Sequence, residues 1–248
     1  MALYKTEGIV IRTRNLGEAD RIITLYTRDR GKVEGVARGS RRARSRLMGA
    51  TQLFTYGHYL MYSGRSLDTV SQAEIQESFA GLREDLIKMA HASYLAELLD
   101  LSVEPEEPSE DLFALLYESF TALDQDQPPG IVLRWFELHL MVLLGYQPEL
   151  RHCVGCGGVA SEARFSVREG GLLCPRCLSK DPTAIAVRPS TIQWMKQLMS
   201  APVQRLGVMR PSLDDSRALE AVGRAYIDYR LPRPLKSLDF LASIKDLA

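Results

Sequence analysis

The sequence predicts an α+β protein of several domains: a small N-terminal β-barrel, a helical bundle, and a cysteine-bearing segment inserted into that bundle. Three observations lead to this architecture. Apolar and polar residues alternate between closely spaced turn signals over the first 77 residues, which is typical of a small barrel or sandwich. Beyond residue 79 apolar residues recur at spacings of three and four, which is typical of amphipathic helices. The four cysteines form two Cys-x-x-Cys pairs.

The barrel is predicted from five short strands. They lie at residues 4–12, 21–27, 31–37, 53–62 and 68–75. The longest irregular connection falls between the third and fourth strands, and this arrangement matches the OB-fold. An SH3-like barrel has a similar number of strands and is the main alternative.

The helices are predicted in order along the rest of the chain. The first covers the apolar residues between 82 and 99 and ends in an acidic linker at 104–108. The second begins after Ser109, an N-cap candidate with two acidic residues in the first turn. The third follows Pro128 and is apolar nearly all round, so we expect it at the buried centre of the bundle. Three more begin near residues 189, 212 and 238.

These elements predict three domains. Residues 1–78 form the OB-fold, 79–150 together with 186–248 form the helical bundle, and 151–185 form the cysteine module. With 46% hydrophobic and 25% charged residues the composition is that of a globular protein. No apolar run is long enough to span a bilayer, so no membrane partner is expected. Metal-type cysteine spacing without a leader pattern predicts a cytoplasmic location.

The cysteine module has the ligands of a structural zinc site. Cys153 and Cys156 are followed seventeen residues later by Cys174 and Cys177. Four thiolates at this spacing can surround one zinc ion tetrahedrally and leave no open position for substrate. A rubredoxin-like iron site, two disulfides or four unrelated thiols are the alternatives. Residues 151–180 contain few apolar side chains, so we expect this segment to be locally unfolded without metal.

Charge is distributed unevenly, although the formal net charge is zero. Residues 1–80 and 151–248 are basic, with net charges of +5 and +6, whereas residues 81–150 carry −11. The densest basic run is 38–46, which has five arginines and no acid. Arginine donates two parallel hydrogen bonds to phosphate oxygens, so this run predicts a nucleic-acid contact. A solvated basic loop without a ligand is the alternative.

Aromatic residues of the predicted barrel could stack on unpaired bases, as in single-strand-binding OB-folds. For each one, a place in the barrel core is the favoured role because one side of every strand is buried. The residues concerned are Tyr26, Phe54, Tyr56, Tyr59 and Tyr62.

Catalytic motifs are lacking, so we expect neither an enzyme nor a small-molecule substrate. The sequence has no phosphate-binding Gly-rich loop, no dinucleotide fingerprint, no His-Glu-x-x-His and no Gly-x-Ser-x-Gly. The four histidines are scattered, and His139 in the apolar third helix is expected to be a hydrogen-bonded core residue.

Four stretches resemble the RecO family of bacterial DNA repair proteins. They are residues 17–22, Gly31-Lys32, 37–42 and the closing segment 233–241, and they occur in the family's order together with the late cysteines. The resemblance implies an N-terminal OB-fold, a helical bundle and a zinc module. It also implies a recombination mediator that binds single- and double-stranded DNA and anneals complementary strands. The implied partners are RecR and single-strand-binding protein (SSB), with which such proteins help to load RecA.

The resemblance assigns DNA contact to basic residues of the barrel. These are Lys32, Arg38, Arg41, Arg42, Arg44 and Arg46. It also implies a pocket for the SSB tail in the helical domain, whose residues cannot be matched in this sequence. An alternative function is a zinc-ribbon adaptor that holds protein partners and contacts DNA only incidentally.

Overall fold

The structure, a computed structural model, describes residues 2–160, 162–231 and 234–245, so Arg233 of the closing motif lies outside the described residues. The chain divides into two compact units. One comprises Met1–Asp126 and Leu235–Ala248, and the other comprises Gln127–Pro234. The three domains expected from the sequence stay a prediction.

The first unit contains a closed barrel of five strands, which confirms the OB-like fold class. The strands are β1 (Leu3–Leu16), β2 (Asp20–Thr27), β3 (Gly31–Ala37), β4 (Tyr56–Tyr62) and β5 (Asp68–Glu77). They follow the order β1-β2-β3-β5-β4 around the barrel, and only the short β3–β5 pair is parallel. β1 pairs with β4 over its first half and with β2 over its second half, and a bulge after Val10 accompanies the change of partner.

The barrel core is formed by buried apolar residues from all five strands and by Ala50 of the connection between β3 and β4. It contains Val10, Ile23, Leu25, Val33, Ala37, Ala50, Tyr59, Met61 and Val70. The predicted start of β4 at residue 53 is wrong. Phe54 has a left-handed backbone, with φ of 71°, and its fully buried ring packs edge-on against Phe120 at 5.2 Å. This tertiary contact places the residue in a turn that precedes the strand.

The helices among the described residues largely follow the predicted order. They are α1 (Ala80–Glu84), α2 (Leu86–Ser102), α3 (Glu110–Asp124), α4 (Pro129–Leu143), α5 (Pro189–Ser200), α6 (Leu213–Arg230) and α7 (Ser237–Lys245). The single helix predicted over 82–99 is wrong, because Asp85 interrupts it. The Asp85 carboxylate accepts the backbone N–H groups of Ile87 and Lys88 and thereby caps α2. The predicted cap at Ser109 is confirmed, since its hydroxyl accepts the N–H of Leu112 at 3.3 Å.

The second unit contains α4, α5, α6 and a small sheet. Its strands β6 (Arg164–Ser166), β7 (Gly171–Leu173) and β8 (Ile185–Ala186) lie in the order β7-β6-β8. Most of α4 is buried, as its apolar sequence predicts. His139 is partly buried and hydrogen-bonds the carbonyl of Trp135 at 2.9 Å, which confirms the expected hydrogen bond, and burial lowers its pKa. Within the described part of the chain, no helix has both the length and the apolar character that crossing a membrane requires.

Candidate nucleic-acid interface and metal centre

The arginine loop, residues 38–46, runs as consecutive turns between β3 and β4. The N–H of Arg42 donates to the carbonyl of Gly39 at 3.0 Å, and the N–H of Ser45 donates to the carbonyl of Arg42 at 2.9 Å. Gly39 adopts a φ of 66°, a conformation that glycine reaches without a steric penalty. These local bonds give the loop a defined backbone although it belongs to no strand.

All five arginines of this loop are exposed. They are Arg38, Arg41, Arg42, Arg44 and Arg46. In the parts of the chain that the structure describes, none of them forms an ion pair with a carboxylate. Five guanidinium groups within nine residues therefore face solvent without a neutralising partner. Such a group of uncompensated positive charges attracts a polyanion.

The arginine loop is joined by hydrogen bonds to the hairpin between β1 and β2. The N–H of Arg41 donates to the carbonyl of Ala19 at 2.9 Å, and its guanidinium Nη1 donates to the carbonyl of Gly17 at 3.0 Å. The carboxylate of Asp20 accepts the N–H of Gly39 at 2.7 Å. The hairpin and the loop therefore present a common surface, and two of the stretches that carry the family resemblance meet there.

Arg21 adds a further positive charge close to the arginine loop and is not among the DNA contacts expected from the sequence. Its Nη1 donates to the carbonyl of Thr51 at 3.1 Å. Burial lowers the pKa of Arg21, and the positive charge of Arg41 lowers it further. The sequence offers one signal for it, because Arg21 lies within the family-like stretch 17–22.

Lys32, expected among the DNA contacts, lies in a different environment. Its ammonium donates to the carbonyls of Asp100 and Val103 at 2.6 and 2.8 Å and pairs with the Asp100 carboxylate at 3.1 Å. Only 16% of the side chain is exposed. Val103 is the C-cap residue of α2, and a positive charge at this end of a helix is stabilised by the helix dipole. These contacts give Lys32 the role of attaching the barrel to α2.

The barrel aromatics are mostly unavailable to a ligand. Tyr26, Phe54 and Tyr59 are fully buried. Tyr59 belongs to the barrel core, as expected, whereas the ring of Phe54 packs against Phe120 of α3. Tyr56 packs edge-on against Phe113 and Tyr117 of α3. Of the five candidates only Tyr62 is exposed. Stacking of bases on a row of barrel aromatics is therefore not supported by their positions.

The four cysteines come together in the second unit. The sulfurs of Cys153, Cys156, Cys174 and Cys177 all lie within 4.8 Å of one another. The Sγ atoms of Cys156 and Cys174 are 3.9 Å apart. Four thiolates at about 2.3 Å from a central zinc ion would be about 3.8 Å from one another, so the cluster could bind a metal ion.

Backbone amides point at the Cys153 sulfur. The N–H of Cys174 donates to it at 3.3 Å. Burial raises the pKa of Cys153, but the N–H groups of Cys174, Gly155 and Cys156 outweigh this and lower it from 9.0 to about 6. Burial and the neighbouring thiols raise the pKa of Cys177 to about 12. The protein thus stabilises a thiolate in this cluster, and the thiolate is the form that binds metal.

Close packing and apolar contacts hold the cysteine segment in place. A Cβ atom at Gly155 would lie 2.8 Å from the Cβ of Cys177, so only glycine fits the first turn. Residues 151–180 nevertheless bury several of their apolar side chains. Phe165, Leu172 and Leu173 are buried, and the ring of Phe165 packs edge-on against Tyr226 of α6 at 5.5 Å. These contacts attach the small sheet to α6, and the unfolding of the cysteine segment without metal stays a prediction.

Comparison with known proteins identifies the family. Residues 1–79 match the family described as "Recombination protein O N terminal", and residues 83–239 match "Recombination protein O C terminal". "DNA repair protein RecO" of Symbiobacterium thermophilum is 43% identical over 250 residues, with 99% of both chains covered. The protein of the same name from Bacillus subtilis is 36% identical, with 99% of this chain and 96% of the relative covered. The resemblance seen in the sequence is therefore confirmed, and the chain belongs to the RecO family of DNA repair proteins.

Proposed function

We propose that this chain is a recombination mediator without enzymatic activity that binds single- and double-stranded DNA and anneals complementary strands. The observation that carries the proposal is the arginine loop, whose five exposed arginines form no ion pair with a carboxylate of the described residues and lie on structured turns of the barrel. Guanidinium groups bind phosphate oxygens regardless of base sequence. This is the kind of contact that a protein acting on any damaged sequence requires.

The proposed mechanism is electrostatic. Two complementary strands repel each other through their phosphates, and this repulsion slows their encounter. The five arginines supply positive charge without an ion pair to break first, because no carboxylate of the described residues neutralises them. Five phosphate contacts to a single strand would give a slope of about −3.5 in log affinity against log salt.

Lys32 has no part in this proposal. Its ammonium is already satisfied by two carbonyls and the Asp100 carboxylate. DNA contact is therefore proposed for Arg38, Arg41, Arg42, Arg44 and Arg46.

The partners proposed for this chain come from its family. It would act with RecR in the cytoplasm, at the nucleoid, and help to load RecA onto DNA coated with SSB. A pulldown of RecR and SSB on the immobilised chain tests this part, and failure of both to bind would contradict it.

For the cysteine cluster we propose one structural zinc ion. The four sulfurs lie within 4.8 Å of one another, which is close enough to surround one ion, and amides that face the Cys153 sulfur favour the thiolate. Zinc would hold the two cysteine turns together and would have no open position for a substrate. Elemental analysis of the purified chain should give one zinc per chain, whereas iron in that amount would favour the rubredoxin-like alternative.

The experiment that tests the main proposal compares two triple variants in strand annealing. Arg42, Arg44 and Arg46 are changed to alanine in one, and the exposed residues Arg205, Arg210 and Arg217 of the second unit in the other. Both lose the same charge. We expect annealing of labelled complementary oligonucleotides at low salt to slow strongly in the first variant and little in the second. Unchanged annealing by a folded first variant would refute the proposal.

A zinc-ribbon adaptor remains the second candidate, and the uneven charge favours it. Residues 81–150 carry −11 and residues 151–248 carry +6, so different parts of the chain suit different partners. An adaptor that lacks the arginines would still capture RecR or SSB. It would also support recombination together with these proteins as well as the wild type does. The same arginine variant therefore separates the two candidates.

A further inference from the structure

Two large apolar side chains are exposed beside the arginine loop. Leu16 ends β1, and Met48 follows the last arginine of the loop by two residues. Each is 41% exposed. Single exposed apolar residues are common on protein surfaces. This pair differs from such isolated residues because both side chains lie close to the arginine loop.

Leu16 lies next to the point where hairpin and loop are joined. It directly precedes Gly17, whose carbonyl accepts the Nη1 of Arg41 at 3.0 Å. It also pairs across the hairpin with Asp20, whose carboxylate accepts the N–H of Gly39 at 2.7 Å. The backbone of Leu16 is therefore fixed beside the loop while its side chain faces solvent.

Met48 is held by hydrogen bonds in the turns that directly follow the arginine loop. Its N–H donates to the carbonyl of Ser45 at 3.3 Å, and its carbonyl accepts the hydroxyl of Thr51 at 3.3 Å. The carbonyl of Thr51 in turn accepts Nη1 of Arg21. Met48 is thus linked through Thr51 to Arg21, which directly follows Asp20, the hairpin partner of Leu16.

A nucleic acid held by these arginines presents different groups according to its form. A duplex turns phosphates outward and hides the faces of its bases in the stack. A single strand exposes those apolar faces, and they gain contact area when they meet apolar side chains. The buried barrel aromatics cannot supply this contact, because Tyr26, Phe54 and Tyr59 are fully buried.

We propose that Leu16 and Met48 contact the unpaired bases of a strand whose phosphates are held by the arginine loop, and so favour single-stranded over double-stranded DNA. This inference rests on the proposed DNA binding. The two kinds of contact leave different signatures in salt. Arginine contacts release counterions and weaken as salt rises, whereas apolar contacts with bases do not.

The test is a double variant, Leu16→Ser with Met48→Gln, in the full-length protein. Its affinities for a labelled oligothymidylate, an abasic strand of the same length and a duplex are measured over a series of salt concentrations. We expect affinity for oligothymidylate to fall about tenfold at every salt concentration. The slope against salt should stay unchanged, and affinities for the abasic strand and the duplex should stay within about twofold.

Two further variants make the result unambiguous. Val208→Ser with Leu213→Ser removes exposed apolar side chains from the second unit and should change nothing. Leu16→Trp offers a larger flat surface and should raise affinity for oligothymidylate but not for the abasic strand, a gain that misfolding cannot produce.

The outcomes separate this inference from the proposed function. Suppose that changing Arg42, Arg44 and Arg46 to alanine weakens DNA binding, while the Leu16 and Met48 variants bind oligothymidylate as the wild type does. Then the inference alone is refuted. The inference also fails, and the proposed function stands, if the apolar pair proves to be needed only for a protein partner. If the arginine variant also binds DNA with unchanged affinity and slope, the proposed function is refuted as well.

Discussion

Replacing Lys32 by methionine should destabilise the first unit without weakening the salt dependence of DNA binding. Methionine keeps most of the apolar stem and removes the ammonium. The change leaves the carbonyls of Asp100 and Val103 without the Lys32 donor. Among the described residues, the Asp100 carboxylate then keeps Arg12, 3.4 Å away, as its ion-pair partner. Only 10% of the Asp100 side chain is exposed, so water replaces the lost partner incompletely.

The magnitude follows from these contacts. A hydrogen bond to a charged group contributes about 1.5–3 kcal/mol, and removing one partner of a buried ion pair costs about 3–5 kcal/mol. Because Arg12 remains and the site is partly exposed, we expect the unfolding free energy to fall by about 2–4 kcal/mol. For a chain of this length that corresponds to a melting temperature lower by about 10 °C.

The assay combines thermal unfolding with a salt series of single-strand affinity. Lys5→Met serves as the control, because Lys5 is exposed on β1, and its effect should stay within about 0.5 kcal/mol. The reasoning is refuted if Lys32→Met melts like the wild type but has a slope against salt that is shallower by about 0.7. That result would indicate that Lys32 contacts DNA after all.

Two other predictions concern the second unit. Cys174→Ser should abolish metal binding and accelerate hydrogen exchange in the cysteine turns, while the barrel core around Ile23 and the hairpin at Phe165 keep their protection; a loosened barrel would contradict this. The hydroxyls of Ser212 and Ser190 lower the pKa of Asp215 from 3.8 to about 2. A lowered pKa stabilises the fold above pH 3.8, and this contribution is lost as pH falls towards 2. The stability difference between wild type and Asp215→Asn should therefore shrink over that range in urea unfolding, and a constant difference would argue against it.

Sequence patterns correctly predicted the elements that are determined by residues close to one another in the chain. β3 has the predicted bounds, because alternation and the turn at Gly31 determine it. The cap of α6 at Ser212 and that of α3 at Ser109 follow from one hydroxyl and a nearby N–H. The cysteine spacing likewise predicted a cluster that the fold brings together.

Elements that depend on distant contacts were predicted less well. Phe54 leaves the strand pattern because its ring packs against Phe120. Lys32 has a sequence context like that of a DNA-binding lysine, and only the position of α2 reveals its carbonyl partners. The burial of Phe165 against Tyr226 joins residues 61 positions apart, which no local pattern indicates.

The affinity of the purified, metallated protein for a labelled single strand between about 50 and 200 mM salt tests most directly whether the arginine loop binds nucleic acid. We predict a slope of about −3.5 in log affinity against log salt for the wild type, and about −1.4 once Arg42, Arg44 and Arg46 are alanine. Absence of binding in dilute buffer, or the same slope for both proteins, would contradict the claim that the arginine loop binds nucleic acid.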